Sequence, residues 1–108
     1  MTKRKMLDVP RYTTRNVAEQ IGLELQLALW TALDHRAEQG QELDYLQVFE
    51  LSVEWVDGEQ LQKVINRQEQ PQHEVSFYVN GVETPIDGVT LWLIDSGEYC
   101  TLLFPQEY

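Results

Sequence analysis

Apolar residues recur at helical spacing from Leu23 to Ala37, and at every second position from Tyr45 to Trp55. Placed at about 100° per residue, Leu23, Leu25, Leu27, Leu29, Trp30, Ala32, Leu33 and Ala37 fill an arc of roughly 220°. Glu24, Thr31, His35 and Glu38 form the polar stripe opposite. A helix resting on one sheet needs an apolar stripe only about 100° wide. The wider arc therefore predicts cover on more than one side, from a curled sheet, the N-terminal segment or a second subunit. Gly40, just past the last turn, suits a left-handed C-terminal cap. From Tyr45 the period changes to two. Tyr45, Phe49, Leu51, Val53 and Trp55 share one face of a strand, with Gln47 its single polar member, and the other face turns polar from Glu50 onward.

Asp57-Gly58 ends that strand with a hairpin signal, and residues 60–68 read as the return strand, with Leu61, Val64, Ile65 and Arg67. A two-residue Asp-Gly loop would set Gln62 opposite Val53 and Asn66 opposite Phe49. A three-residue loop, Val56-Asp57-Gly58, would set Leu61 opposite Val53 and Ile65 opposite Phe49, keeping like with like on the buried face. The second register is the one this pattern favours. Three more strands follow: 73–79 (HEVSFYV), 89–94 (VTLWLI) and 99–104 (YCTLLF). The last two are apolar on both faces, which predicts a central or doubly covered hairpin. Pro85 confines residues 82–88 to a loop or edge piece. Upstream, residues 11–16 (RYTTRN) suit a short N-terminal edge strand. Asn16 and Glu19 match capping-box spacing for a helix beginning at Val17, leaving residues 16–22 open between a helical turn and a loop. The fold class is α+β: an antiparallel sheet of about five strands packed by one long amphipathic helix, with the short N-terminal strand as an option.

Composition places these elements in one domain. The chain has 108 residues and is 43% hydrophobic, enough for a single packed core. The expected division is a basic tail at 1–10 and one α+β domain at 11–108. Charge is uneven: residues 1–15 carry Lys3, Arg4, Lys5, Arg11 and Arg15 against Asp8, whereas the whole chain has a net charge of −10. The tail reads either as a partner-binding arm or as a solvated terminus that returns onto the acidic body. An acidic body repels phosphate, so nucleic acid is not expected as a partner. Any duplex binding at low salt should vanish when residues 1–9 are deleted; sub-micromolar binding at physiological salt after that deletion would contradict this. No apolar run approaches the length of a membrane span and no signal-peptide core follows the basic start. A single cysteine, Cys100, fits a reducing compartment. The expected setting is cytoplasmic.

Candidate chemistry is sparse. His35, His73 and Cys100 have no second ligand at metal spacing, and Asp34, His35 and Glu38 are already explained by the polar stripe of the helix. No glycine-rich phosphate loop, G-x-S-x-G or H-E-x-x-H is present. The expectation is no catalytic residue, no metal and no cofactor. The polar run Asn66 to His73 (NRQEQPQH) stands apart, because two strands need only a short connection there. It offers amides, a guanidinium able to grip a carboxylate and a stiffening Pro71. Arg67, Gln68, Glu69, Gln70 and His73 are the candidate partner contacts.

The segments Leu23-Glu24-Leu25-Gln26-Leu27 with Leu29-Trp30, then 43–51 (LDYLQVFEL), then 67–71 (RQEQP), together with Arg11-Tyr12-x-Thr14, carry a resemblance. Over roughly residues 11–104 the chain resembles a small family of uncharacterised bacterial proteins, mostly from Gram-positive bacteria and their mobile elements. Gly22 stands where that pattern has proline. The resemblance implies the fold and a cytosolic setting, and no activity. Two functional classes follow. The first is a protein–protein interaction or regulatory module, with a homo-oligomer as one option, presenting the 67–73 region and the sheet edge. The second is a small-molecule binder or modest enzyme with a pocket between helix and sheet. The apolar stretches show no converging polar residues, which favours the first.

Overall fold

A computed structural model describes residues 8–108. Lys3, Arg4, Lys5, Met6 and Leu7 of the basic tail lie outside the described residues. The element order is β1 (Arg11–Thr13), α1 (Arg15–Gln20), α2 (Leu23–Glu38), β2 (Leu46–Val56), β3 (Glu59–Gln68), β4 (His73–Val79), β5 (Val89–Asp95) and β6 (Cys100–Leu103), with a 3₁₀ turn at Pro105–Glu107. The six strands form one sheet in the order β1-β6-β5-β2-β3-β4. This corrects the expected five: the short N-terminal strand is real and makes the sixth. It pairs with β6 in parallel, so the sheet is mixed, while all other pairings are antiparallel.

Thr14, not Asn16, caps α1. Its side chain accepts from the Val17 backbone N–H, while the Asn16 amide reaches across to Glu107. The hydroxyl is better placed because β1 ends one residue earlier, which leaves Thr14 extended, as an N-cap must be. Glu107 also accepts from the Thr14 hydroxyl and from the Phe104 backbone N–H, so one carboxylate ties the C-terminal turn to the start of α1. The Phe104 N–H, followed by the two side-chain donors, holds the Glu107 carboxyl below its usual range. That sign makes the contribution complete above the unfolded carboxyl value and lost as pH falls through the lowered folded one. The melting-temperature gap between wild type and Glu107→Ala should therefore be constant near neutrality and close on acidification below about pH 4.

One turn after α2, Gly40 adopts φ of 78°. Its N–H bonds Ala37 O while the Gln41 N–H bonds Arg36 O, the paired pattern of a left-handed helix stop. The β2–β3 turn uses Asp57 and Gly58, both at positive φ (51° and 80°), giving the two-residue hairpin. The register is therefore the unfavoured one: Gln62 faces Val53 and Asn66 faces Phe49. Matching apolar with apolar failed here because these amides are satisfied inside the protein, so burying them is not costly. Gly58→Ala should lose about 1–2 kcal/mol in a denaturant melt, since a Cβ at that φ is strained whatever space surrounds it.

The core lies between α2 and one face of the sheet. Leu25, Leu29 and Leu33 pack over Phe49, Leu51, Val64, Leu91, Leu93 and Leu102, and α1 adds Val17 and Ile21. Trp30 is 7% exposed, a core anchor as its place in the arc predicted. Arg11 sits over its ring at 4.7 Å and pairs with Asp34 at 2.5 Å, so this tail-proximal cation returns onto the acidic body. The helix is covered more narrowly than expected. Leu23 and Leu27 are exposed, as are Tyr45 and Trp55 at the ends of the buried strand face. In their place Gln26 and Arg36 are buried.

Candidate functional site at the edge of the sheet

Arg36 follows Leu25, Leu29 and Leu33 along the helix stripe that faces the sheet, so helical geometry carries a guanidinium inward. It is 5% exposed. Gln47 of β2 and Asn66 and Gln68 of β3 share the facing side of the sheet and are buried with it. Arg36 Nη1 donates to Gln47 Oε1 at 3.1 Å and to Asn66 Oδ1 at 2.7 Å, Nη2 to Gln68 Oε1 at 2.8 Å, and Nε to Gln41 Oε1 at 3.0 Å. Gln47 Nε2 bonds Gln68 Oε1 and Asn66 Nδ2 bonds Gln47 Oε1, closing the network. No buried polar side-chain atom is left without a partner among the described residues. The acceptors are all amide oxygens, so the charge is solvated by dipoles rather than neutralised, and burial pulls the Arg36 pKa below its ordinary value. Polar groups do converge here, against the sequence expectation. The signal was a charge on the apolar helix stripe together with amides at alternate positions of β3.

Beyond this cluster the sheet runs out from under the helix. Val75, Phe77 and Val79 of β4 face Asn66, Val64 and Gln62, so they lie on the α2 side of the sheet. They are only partly covered, with Val75 36% exposed. Ala28 and Ala32 on the adjoining flank of α2 are too small to close the gap. The result is an open groove of about 480 Å³ lined by Ala28, Thr31, Ala32, His35 and Arg36 on one wall and by Val75 and Phe77 to Asn80 on the other. Among its lining residues Arg36 is the only one bearing a permanent charge. The groove holds no carboxylate, although the chain has 18.

The outer wall is also a sheet edge. Ladder bonds alternate along an antiparallel pair. Val56 and Glu59 flank the two-residue turn and form a bonded pair, so counting outward gives the odd residues of β3 to β2 and the even ones to β4. In β4 residues 73, 75, 77 and 79 then bond inward, while Glu74, Ser76 and Tyr78 turn their N–H and C=O outward. Among the described residues nothing bonds those outward groups.

The five sequence candidates fall on different surfaces. Arg67 points to the sheet face away from α2 and pairs with Glu50. Gln68 is 4% exposed, and its amide is committed to Arg36, Gln47, the Asp44 N–H and the Glu42 and Pro71 carbonyls. Its even position in β3 turns its side chain inward, toward the Arg36 cluster. Glu69 and Gln70 are exposed in the turn, with the Gln70 N–H on Asp44 and a cis Gln70–Pro71 bond. His73 opens β4 and shares a smaller cavity with Arg36. Arg67, Glu69 and Gln72 line a separate hollow of about 350 Å³ beside Asp44 and Tyr45. Among the described residues no group of His, Cys, Asp and Glu could hold a metal, and no helix is long and apolar enough to cross a membrane.

Residues 10–107 match the family described as "Staphylococcal protein of unknown function (DUF960)". The chain belongs to this family. The Gram-positive resemblance read from the sequence agrees with it. Comparison with curated proteins gives no match. The chain is similar in structure to a protein of unknown function from Enterococcus faecalis, known from its crystal structure. That similarity has a TM-score of 0.79 at 22% identity and covers 100% of this chain and 98% of the other. At that identity the likeness is one of fold. As a DUF960 member, this chain therefore shares an architecture with its relatives, and its role must come from its own surface.

Proposed function

We propose that this chain is a protein–protein interaction module that takes an extended segment of a partner onto the outer edge of β4. The observation that carries this reading is the state of that edge. Sheet edges are usually shortened, bulged or guarded by lysine or proline, because free backbone groups invite pairing. β1, the opposite edge, is three residues long. β4 is seven residues long, pairs with β3 without a bulge, and contains neither lysine nor proline. Beside it lies a groove sized for the alternate side chains of an added strand. Main-chain bonds would supply affinity there, and Ala28, Ala32 and Phe77 a preference for apolar residues. Glu69, Gln70 and His73 lie at the approach to β4 and would contact the segment as it leaves the groove. Arg67 contributes from the neighbouring face.

The test uses a proline. Ser76→Pro removes an outward N–H and leaves the β3 ladder intact, so the fold should persist. A degenerate decapeptide pool passed over immobilised protein should yield sequences with apolar residues at alternate positions, and this enrichment should disappear with Ser76→Pro. Enrichment that survives Ser76→Pro but is lost in Ala32→Trp would mean the groove takes a compact apolar ligand without strand pairing. A wild-type dimer that Ser76→Pro dissolves would make the occupant a second copy of the chain.

A further inference from the structure

We infer that the partner segment is a chain end: it runs antiparallel to β4 and delivers its terminal carboxylate to Arg36. This rests on the strand-addition reading above and names the class of ligand within it. The direction of the groove comes first. Arg36, near the end of α2, shares a cavity with His73 and bonds Asn66 and Gln68, the β3 partners of Val75 and His73, so the start of β4 lies beside the end of α2. The groove runs from there along Ala32 and Ala28 on one wall and Phe77 and Val79 on the other, so β4 runs opposite to α2. A strand added antiparallel to β4 enters near Val79 and finishes near His73, with its C-terminus beside Arg36.

Charge completes the assignment. An acidic protein that bound a basic segment here would be expected to line the groove with carboxylates, and it lines it with none. It places there instead a guanidinium whose four hydrogen bonds all go to neutral amides. A guanidinium has five N–H donors, and among the described residues four of those of Arg36 have an acceptor, which leaves one on Nη2 for a ligand. A buried cation whose hydrogen bonds all go to neutral amides gains most from an arriving anion, because the desolvation cost has already been met in folding. Two features oppose an anion at this end: Glu42 lines the small cavity that Arg36 shares with His73, and the last carbonyls of α2 point toward it. The carboxylate therefore approaches from the groove, where His35 and Arg36 are the only ionisable side chains on the helix wall. The added strand would hydrogen-bond Glu74, Ser76 and Tyr78 through its backbone and leave alternate side chains on Ala28, Ala32 and Phe77.

The experiment compares two chemically matched pools on the full-length protein. One degenerate decapeptide pool ends in a free carboxylate, and the other is identical but ends in a carboxamide. The expected result is at least tenfold greater retention of the free-acid pool, with apolar residues concentrated at the last position and two before it. Arg36→Gln, if it folds, should bring the two pools level. The comparison on wild-type protein decides the matter even if that variant does not fold. Equal retention of both pools, abolished by Ser76→Pro, would overturn the carboxylate assignment and leave strand addition standing. Retention of neither pool would overturn both.

Discussion

Arg36→Ala should destabilise the protein by about 3–5 kcal/mol, measured as a shift in denaturant midpoint at unchanged slope. The substitution deletes a side chain from the core and, in the same stroke, removes the shared donor of Gln47, Asn66 and Gln68. Those amides cannot turn to solvent, since Gln47 and Asn66 are fully buried and Gln68 nearly so. Each buried acceptor left without a donor costs about 1–3 kcal/mol. Gln47, Asn66 and Gln68 keep bonds to one another, so the penalties do not simply add. A loss below about 1 kcal/mol would show that the amides re-pair without the cation.

Trp30→Ala should cost a similar amount, about 3–5 kcal/mol, by a different route. Trp30 packs on the flank of α2 nearest β1, under the Arg11 guanidinium and next to the Arg11–Asp34 pair. Removing the indole opens a cavity and takes away the surface on which that pair is ordered. The Arg11–Asp34 pair is part-buried, with about a third of each side chain still open to screening solvent, so Asp34→Ala should lose only about 1 kcal/mol. The contrast between the two variants separates packing from charge. A Trp30→Ala loss no larger than that of Asp34→Ala would place the indole outside the core.

The helix, the strand segments and the hairpin turns were legible because each is announced by its own residues. Period 3.6 over 23–37, period two over 45–55, and Asp57-Gly58 are local signals. What misled the reading was side chains whose fate depends on others far along the chain. Gln62 and Asn66 look solvent-facing in isolation. They are buried because Gln62 bonds the Ser52 and Ile86 carbonyls and Asn66 meets Arg36, Gln47 and the Val48 carbonyl. No alternation rule contains those partners, so the register that hides amides was passed over. Leu23, Leu27, Tyr45 and Trp55 erred the other way, since apolar residues on a surface are common. Gln68 repeats the first error, being polar, at the end of its strand and buried.

The groove was less legible still. A pocket between helix and sheet was the second functional class considered. Its location depends on β4 being an edge, and that follows from pairing β2 with β5 across more than thirty residues of intervening chain. Only then does β5 lie on one side of β2 and the β3–β4 pair on the other, which leaves β4 outermost. The polar run at 67–73 drew notice for its composition, yet its neighbour β4 carries the exposed backbone.

Amide hydrogen exchange, resolved by residue along β4, tests strand addition most directly. In the free protein Glu74, Ser76 and Tyr78 should exchange rapidly, while Val75, Phe77 and Val79, bonded to β3, are protected. Saturation with a peptide selected from the free-acid pool should slow Ser76 and Tyr78 by at least tenfold, with no comparable change at β1. Slowing confined to the hollow around Arg67, Glu69 and Gln72, or no slowing in β4 at saturation, would contradict the account.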